Sequence, residues 1–130
     1  MMKELSPREA HAYLQTTPNA LLIDVRSEIE HHFVGHPPAA RHVPWNDGPE
    51  WAVNPDFVSD VEKLAGDRKR PLLLLCRSGN RSEMAAQALI AAGFSQVFNI
   101  VHGFEGDLDE HHHRNTLNGW RHDGLPWEQC

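Results

Sequence analysis

The chain has 130 residues, 40% of them apolar and 23% charged, with a net charge of −6 when histidine is neutral. That size and balance suit one globular domain, residues 1–130, able to bury an ordinary core. Two cysteines, Cys76 and Cys130, rule out a disulfide scaffold. The acidic charge argues against nucleic acid and anionic membranes as partners. The apolar run Leu72 to Cys76 is far too short to span a bilayer, and the start Met1-Met2-Lys3-Glu4-Leu5-Ser6 has no apolar signal core. A cytoplasmic location is therefore expected.

In chain order, Ser6-Pro7-Arg8-Glu9 reads as a helix start, with Ser as N-cap, Pro at the first helical position and acid in the first turn. The helix is predicted to run to about Gln15 and stop before Pro18. Leu21-Leu22-Ile23-Asp24-Val25 reads as a strand buried on both faces. A short helix is predicted from Ser27 to about Phe33, ended by Gly35, Pro37 and Pro38, and His42-Val43-Pro44 is a candidate short strand. Phe57, Val58, Val61, Leu64 and Ala65 recur at helical spacing within Asp56–Ala65, and Gly66-Asp67 closes that helix. Leu72-Leu73-Leu74-Leu75-Cys76 is the clearest buried strand. Ser82 to Ala92 is Ala-rich and ends at Gly93, a helix with a glycine C-cap. Val97 to Val101 is a further strand, and the chain from His102 onward is mostly polar and irregular. Strands alternating with helices predict an α/β fold with a mainly parallel sheet.

The segment Cys76-Arg77-Ser78-Gly79-Asn80-Arg81-Ser82 leaves the strongest strand and enters the strongest helix. Ligand sites of open parallel sheets lie at such strand ends. A tight loop at a helix N-terminus aims backbone N–H groups inward and adds the positive end of the helix dipole, which favours a thiolate. Two arginines add positive charge, and Gly79 supplies the freedom that a tight curl needs. A thiolate in that cradle can attack an electrophilic sulfur, and the resulting persulfide anion would sit among the same N–H groups.

This loop resembles the active loop of the rhodanese (thiosulfate sulfurtransferase) family, Cys-x-x-Gly-x-Arg/Ser/Thr. Leu22-Ile23-Asp24-Val25-Arg26 resembles the family's first signature; Glu30, Gly35-His36 and Ala40 to Pro44 resemble its second. Leu89 through Gly93-Phe94, then Val97 to Ile100 and Gly103, follow the family's order after the loop, and Trp120 with Gly124-Leu125-Pro126-Trp127 resembles its ending. Three departures stand out: Ala39 in place of a usual Gly, His102-Gly103 in place of Gly-Gly, and about a dozen extra residues near Asp107 to Asn118. The resemblance implies a rhodanese-like α/β fold, with a mainly parallel central sheet flanked by helices on both faces. It also implies a sulfurtransferase in which Cys76 carries the sulfur as a persulfide and residues 77–82 form the binding loop. The donor would be a small anion such as thiosulfate or a low-molecular-weight persulfide. The acceptor would be cyanide, a thiol or a protein. No cofactor or metal is required.

Within that frame, Arg77 is favoured as the donor contact, while Arg81 is either structural, paired with Asp24 or another carboxylate, or catalytic. Asp24, Arg26 and Glu30 are expected in scaffold ion pairs. His36 either orients the pocket or is a satisfied structural histidine, and Trp45 and Trp51 either wall the pocket mouth or pack in the core. His111-His112-His113 suggests zinc, but adjacent residues do not converge on one ion and no metal-binding motif accompanies them, so a solvated loop is the default. Cys130 is a candidate resolving thiol. Two other functions compete: a sulfur carrier handing persulfide to a protein partner, and, more distantly, a cysteine-dependent phosphatase or arsenate reductase. The latter use C-x5-R, whereas Cys76 to Arg81 is C-x4-R, a shorter arc suited to one sulfur atom.

Overall fold

A computed structural model describes residues 2–129; Cys130, the candidate second thiol, lies outside the described residues. Helix α1 (Pro7–Thr16) begins as the sequence predicts. The Ser6 hydroxyl accepts from the Glu9 N–H while the Glu9 carboxylate accepts from the Ser6 N–H, so each caps the other. Strand β2 (Leu21–Asp24), helix α2 (Phe57–Ala65), strand β6 (Leu72–Leu75), helix α3 (Asn80–Ala91) and strand β7 (Val97–Ile100) lie within a residue or two of the predicted spans. Strand β3 is Arg41–His42, placed slightly ahead of the predicted His42–Pro44.

Two features depart from expectation. The predicted helix 27–33 is a brief helical start at Glu28 and Ile29 that widens into one turn of π-helix, Glu30–Val34. Two short pairings carry no apolar signal and were not predicted. Strand β1 (Lys3–Leu5) is exposed at its first two residues, and the hairpin β4 (Asn46–Asp47) with β5 (Ala52–Val53) is largely exposed.

The main sheet is parallel throughout, in the order β1-β7-β6-β2-β3. Side chains alternate across it. Leu21, Ile23, Leu72, Leu74, Cys76 and Val97 face α2 and α3, packing with Phe57, Val61, Ala85, Ala86 and Leu89. Leu22, Leu73, Leu75, Phe98 and Ile100 face the other way, toward Ala10 of α1, Phe104 and Trp120. Both faces are therefore covered, which is why these strands read as unbroken apolar runs. The carboxyl ends of β2 and β6 lie side by side, Asp24 opposite Leu75, and this juxtaposition creates the site.

Candidate active site

Cys76 follows β6 directly and is 1% exposed. The next residues curl back before α3 starts at Asn80, two residues earlier than predicted. Gly79 makes the curl possible, holding φ at +110°, a left-handed conformation that side-chain-bearing residues avoid. Its N–H then points at the Cys76 sulfur at 3.1 Å. Ser82, fully buried in the first turn of α3, places its Oγ 3.3 Å from the same sulfur. The loop is backed by the turn after β7: the N–H of Phe104 donates to the Cys76 carbonyl and those of Glu105 and Gly106 to the Arg77 carbonyl. Gly103, at φ +58°, is required there, because a Cβ would collide with the Cys76 and Arg77 carbonyls.

The two loop arginines have different places. Arg77 and Asn80 are exposed, and Ser78 is half-buried. Arg81 makes a two-pronged pair with Glu30, Nη1 to Oε1 at 2.7 Å and Nη2 to Oε2 at 2.8 Å. The sequence offers Asp24 or another carboxylate as partner; the carboxylate is Glu30, carried by the π-helical turn, and not Asp24. The Ser27 hydroxyl also donates to Glu30. Burial alone would raise the Glu30 carboxyl, but the hydrogen bonds and charge of Arg81 outweigh it and hold the group below the usual carboxylate range. Burial likewise opposes the Arg81 charge; Glu30 outweighs it, and Cys76 and Asp24 add smaller attractions.

A second, deeper network supports this wall. Asp24 accepts from Arg26 Nε at 2.8 Å and Nη2 at 2.7 Å, and its Oδ2 lies 2.7 Å from Nδ1 of His31. Both Asp24 and Arg26 are wholly buried. Burial pushes Asp24 up, but His31 and Arg26 outweigh it, so the carboxyl sits well below its ordinary value. The His31 ring is stacked between His36, at 3.8 Å and 7°, and His42, at 4.4 Å and 14°. Burial lowers His42 although its Nε2 donates to the Arg26 carbonyl, which acts the other way. His36 belongs to this stack and reaches the His31 carbonyl and Glu128, so its partners lie outside the cysteine loop.

Trp45 is core packing, set edge-on to Phe57 at 5.2 Å, whereas Trp51 is half exposed with the Arg81 guanidinium 5.4 Å from its ring. His111, His112 and His113 are exposed, and among the described residues no three His, Cys, Asp or Glu side chains are arranged to hold a metal ion. No described helix is long and apolar enough to cross a membrane. Sequence reasoning missed Ser27, His31, His42 and Asn99. Only Asn99 carried a signal, as a lone polar residue inside the apolar stretch 97–100.

A buried cysteine whose sulfur meets the Gly79 N–H and the Ser82 hydroxyl between a parallel strand and a helix, on a sheet of this order, defines a class, and comparison with known proteins names it. The model of the rhodanese-like domain matches residues 6–110, and the chain belongs to that family. It is 33% identical over 104 residues to the thiosulfate sulfurtransferase GlpE of Stutzerimonas stutzeri, spanning 79% of this chain and 82% of that one. It is 34% identical over 84 residues to the putative sulfur carrier protein YrkF of Bacillus subtilis, spanning 63% of this chain and 38% of that one. The crystal structure of Rv0390 from M. tuberculosis matches with a TM-score of 0.87 at 36% identity, over 98% of both chains.

Proposed function

We propose that the protein is a sulfurtransferase that moves a sulfane sulfur through a persulfide on Cys76. The observation that carries this reading is the Gly79 N–H aimed at a buried cysteine sulfur at the start of α3. The Cys76 thiolate attacks the outer sulfur of thiosulfate. The donor S–S bond breaks, sulfite leaves with the electron pair, and a Cys76–S–S⁻ persulfide remains among the loop N–H groups. An acceptor then attacks the outer sulfur. Cyanide gives thiocyanate, a thiolate gives a new persulfide, and Cys76 returns as thiolate. Arg77, exposed and next to Cys76 in the chain, is suited to steer an anionic donor, while Arg81 is committed to Glu30. A low-molecular-weight persulfide serves equally as donor in this scheme. The cytoplasm is the compartment that suits it.

One resemblance favours a second reading. Likeness to the putative sulfur carrier of B. subtilis is compatible with a domain that hands its persulfide to a protein partner and turns over slowly with free acceptors. The same experiment separates the two. Purified protein should turn over thiosulfate and cyanide with ping-pong kinetics, and Cys76→Ser should lower that rate by at least about a thousandfold. A single stoichiometric transfer without turnover would favour the carrier. A Cys76→Ser protein that still transfers sulfur would contradict both. Aryl phosphate hydrolysis dependent on Cys76 and faster than sulfur transfer would favour the phosphatase chemistry instead.

A further inference from the structure

Asn99 lies in β7 on the face turned to α3, and only 2% of it is exposed. A buried amide in an apolar strand needs partners on both of its ends. Its Nδ2 donates to the Gly79 carbonyl at 3.2 Å, and its Oδ1 lies 2.5 Å from Ser82 Oγ. Both contacts are to the loop around Cys76.

The amide can be oriented from its partners alone. The Gly79 carbonyl can only accept, so the NH₂ end of Asn99 must face it and the carbonyl end must face Ser82. Ser82 has one proton and three acceptors in reach: Asn99 Oδ1 at 2.5 Å, the Gly79 carbonyl at 3.2 Å and the Cys76 sulfur at 3.3 Å. Two oxygens at the shortest of these distances require the proton between them. The hydroxyl that touches the cysteine therefore spends its proton elsewhere.

We propose that Asn99 is a positioning residue of the Cys76 site: its Oδ1 accepts the hydrogen bond of the Ser82 hydroxyl, so that Ser82 turns a lone pair toward the cysteine sulfur. In that arrangement the lone pair accepts from the Cys76 S–H. Ionisation leaves the sulfur with the Gly79 N–H as donor until the Ser82 hydroxyl turns away from Asn99. Asn99 thus sets the pH at which Cys76 becomes reactive. The inference deepens the proposed function, since it rests on reading Cys76 as the nucleophile.

Other charges near the sulfur are held by their own partners. Arg81 is paired with Glu30, and Asp24 with Arg26 and His31. Arg77 is exposed in the loop; Glu4, Glu83 and the His102–Asp107 pair line one surface cavity with Ser78, Gly79 and Asn80 of the loop and with Asn99. Asn99 hydrogen-bonds to Ser82 and Gly79, so substituting it leaves these pairs in place.

The test measures the rate of iodoacetamide alkylation at the Cys76 peptide against pH, which does not depend on sulfur transfer. Asn99→Val should move the half-rate pH down by about one unit, the scale expected when one hydrogen bond is redirected to the charged form. Asn99→Asp retains an acceptor toward Ser82 and should leave the midpoint unchanged or higher. Ser82→Ala should not raise it, and Asn99→Val should add no shift in that background. An unmoved midpoint in folded Asn99→Val, a fall in Asn99→Asp, or a rise in Ser82→Ala would each overturn the proposal. The Ser82→Ala arm decides alone if the strand variants do not fold. Loss of sulfur transfer without any midpoint change would bear on the proposed function and still refute this role for Asn99.

Discussion

The Cys76 loop and the 107–118 segment are both irregular, and both are tied by side chains to backbone or to each other, but by different owners. Distant elements hold the first: Glu30 from the π-helical turn grips Arg81, Asn99 from β7 grips Gly79 and Ser82, and the turn at 103–106 grips the backbone of Cys76 and Arg77. The second is largely held by its own residues. Asp109 accepts from the N–H groups of His111 and His113 and from the Thr116 hydroxyl, and the three histidines stay exposed. A loop held from three sides by the fold keeps the Gly79 N–H aimed at the sulfur whether or not a ligand is bound, which is the preorganisation that sulfur chemistry needs. A loop held by itself can vary in sequence and shape without disturbing the sheet.

Breaking a tether of the first loop should have the larger effect. Glu30→Gln leaves Arg81 half-buried beside a neutral amide. We expect a stability loss of about 2 kcal/mol, in the range for hydrogen bonds to charged groups, and a roughly tenfold fall in sulfur transfer as the loop loosens. The loss should depend on pH in a definite direction. Glu30 is held below its ordinary value in the fold, so its stabilisation is complete above the unfolded carboxylate value of about 4.3 and disappears as pH falls through the acid range. Thermal melts of the two proteins should differ at pH 7 and converge as pH falls below the range in which Glu30 is ionised. A constant difference across pH would assign Glu30 a packing role.

Arg77→Ala tests the exposed side of the same loop. It should weaken the use of dianionic thiosulfate by about two- to fivefold at low ionic strength while sparing a neutral sulfur donor, and added salt should erase the difference. Equal losses with both donors would make Arg77 a structural residue. The smallest effect belongs to the other loop: Asp109→Ala should alter sulfur transfer to cyanide by less than about twofold, since the residues it holds make none of the cysteine's contacts. A loss as large as that from Glu30→Gln would dissolve the contrast between the two regions.

Much of this contrast is legible in the sequence. The buried strands announced themselves because both sheet faces are covered, and Cys76-Arg77-Ser78-Gly79-Asn80-Arg81-Ser82 joined the clearest strand to the clearest helix. What the sequence left open were pairings across long separations. Arg81 and Glu30 are 51 positions apart, and nothing local distinguishes Glu30 from Asp24 as the partner. The sequence gives no sign that the turn at 30–34 is π-helical, because hydrogen-bond spacing leaves no mark in apolar periodicity. Strand β1 and the 46–53 hairpin have few buried residues, so no alternating pattern reveals them. His31, His36 and His42 form one stack only because β3 returns beside β2, a fact of topology.

The central claim is that Cys76 carries the sulfur, and one measurement reaches it directly. Intact mass spectrometry after incubation with thiosulfate should show the gain of a single sulfur atom, about 32 Da, located on the Cys76 peptide and removed by cyanide. A protein that gains no sulfur, or that carries it stably at Cys130 with Cys76 unmodified, would contradict the account.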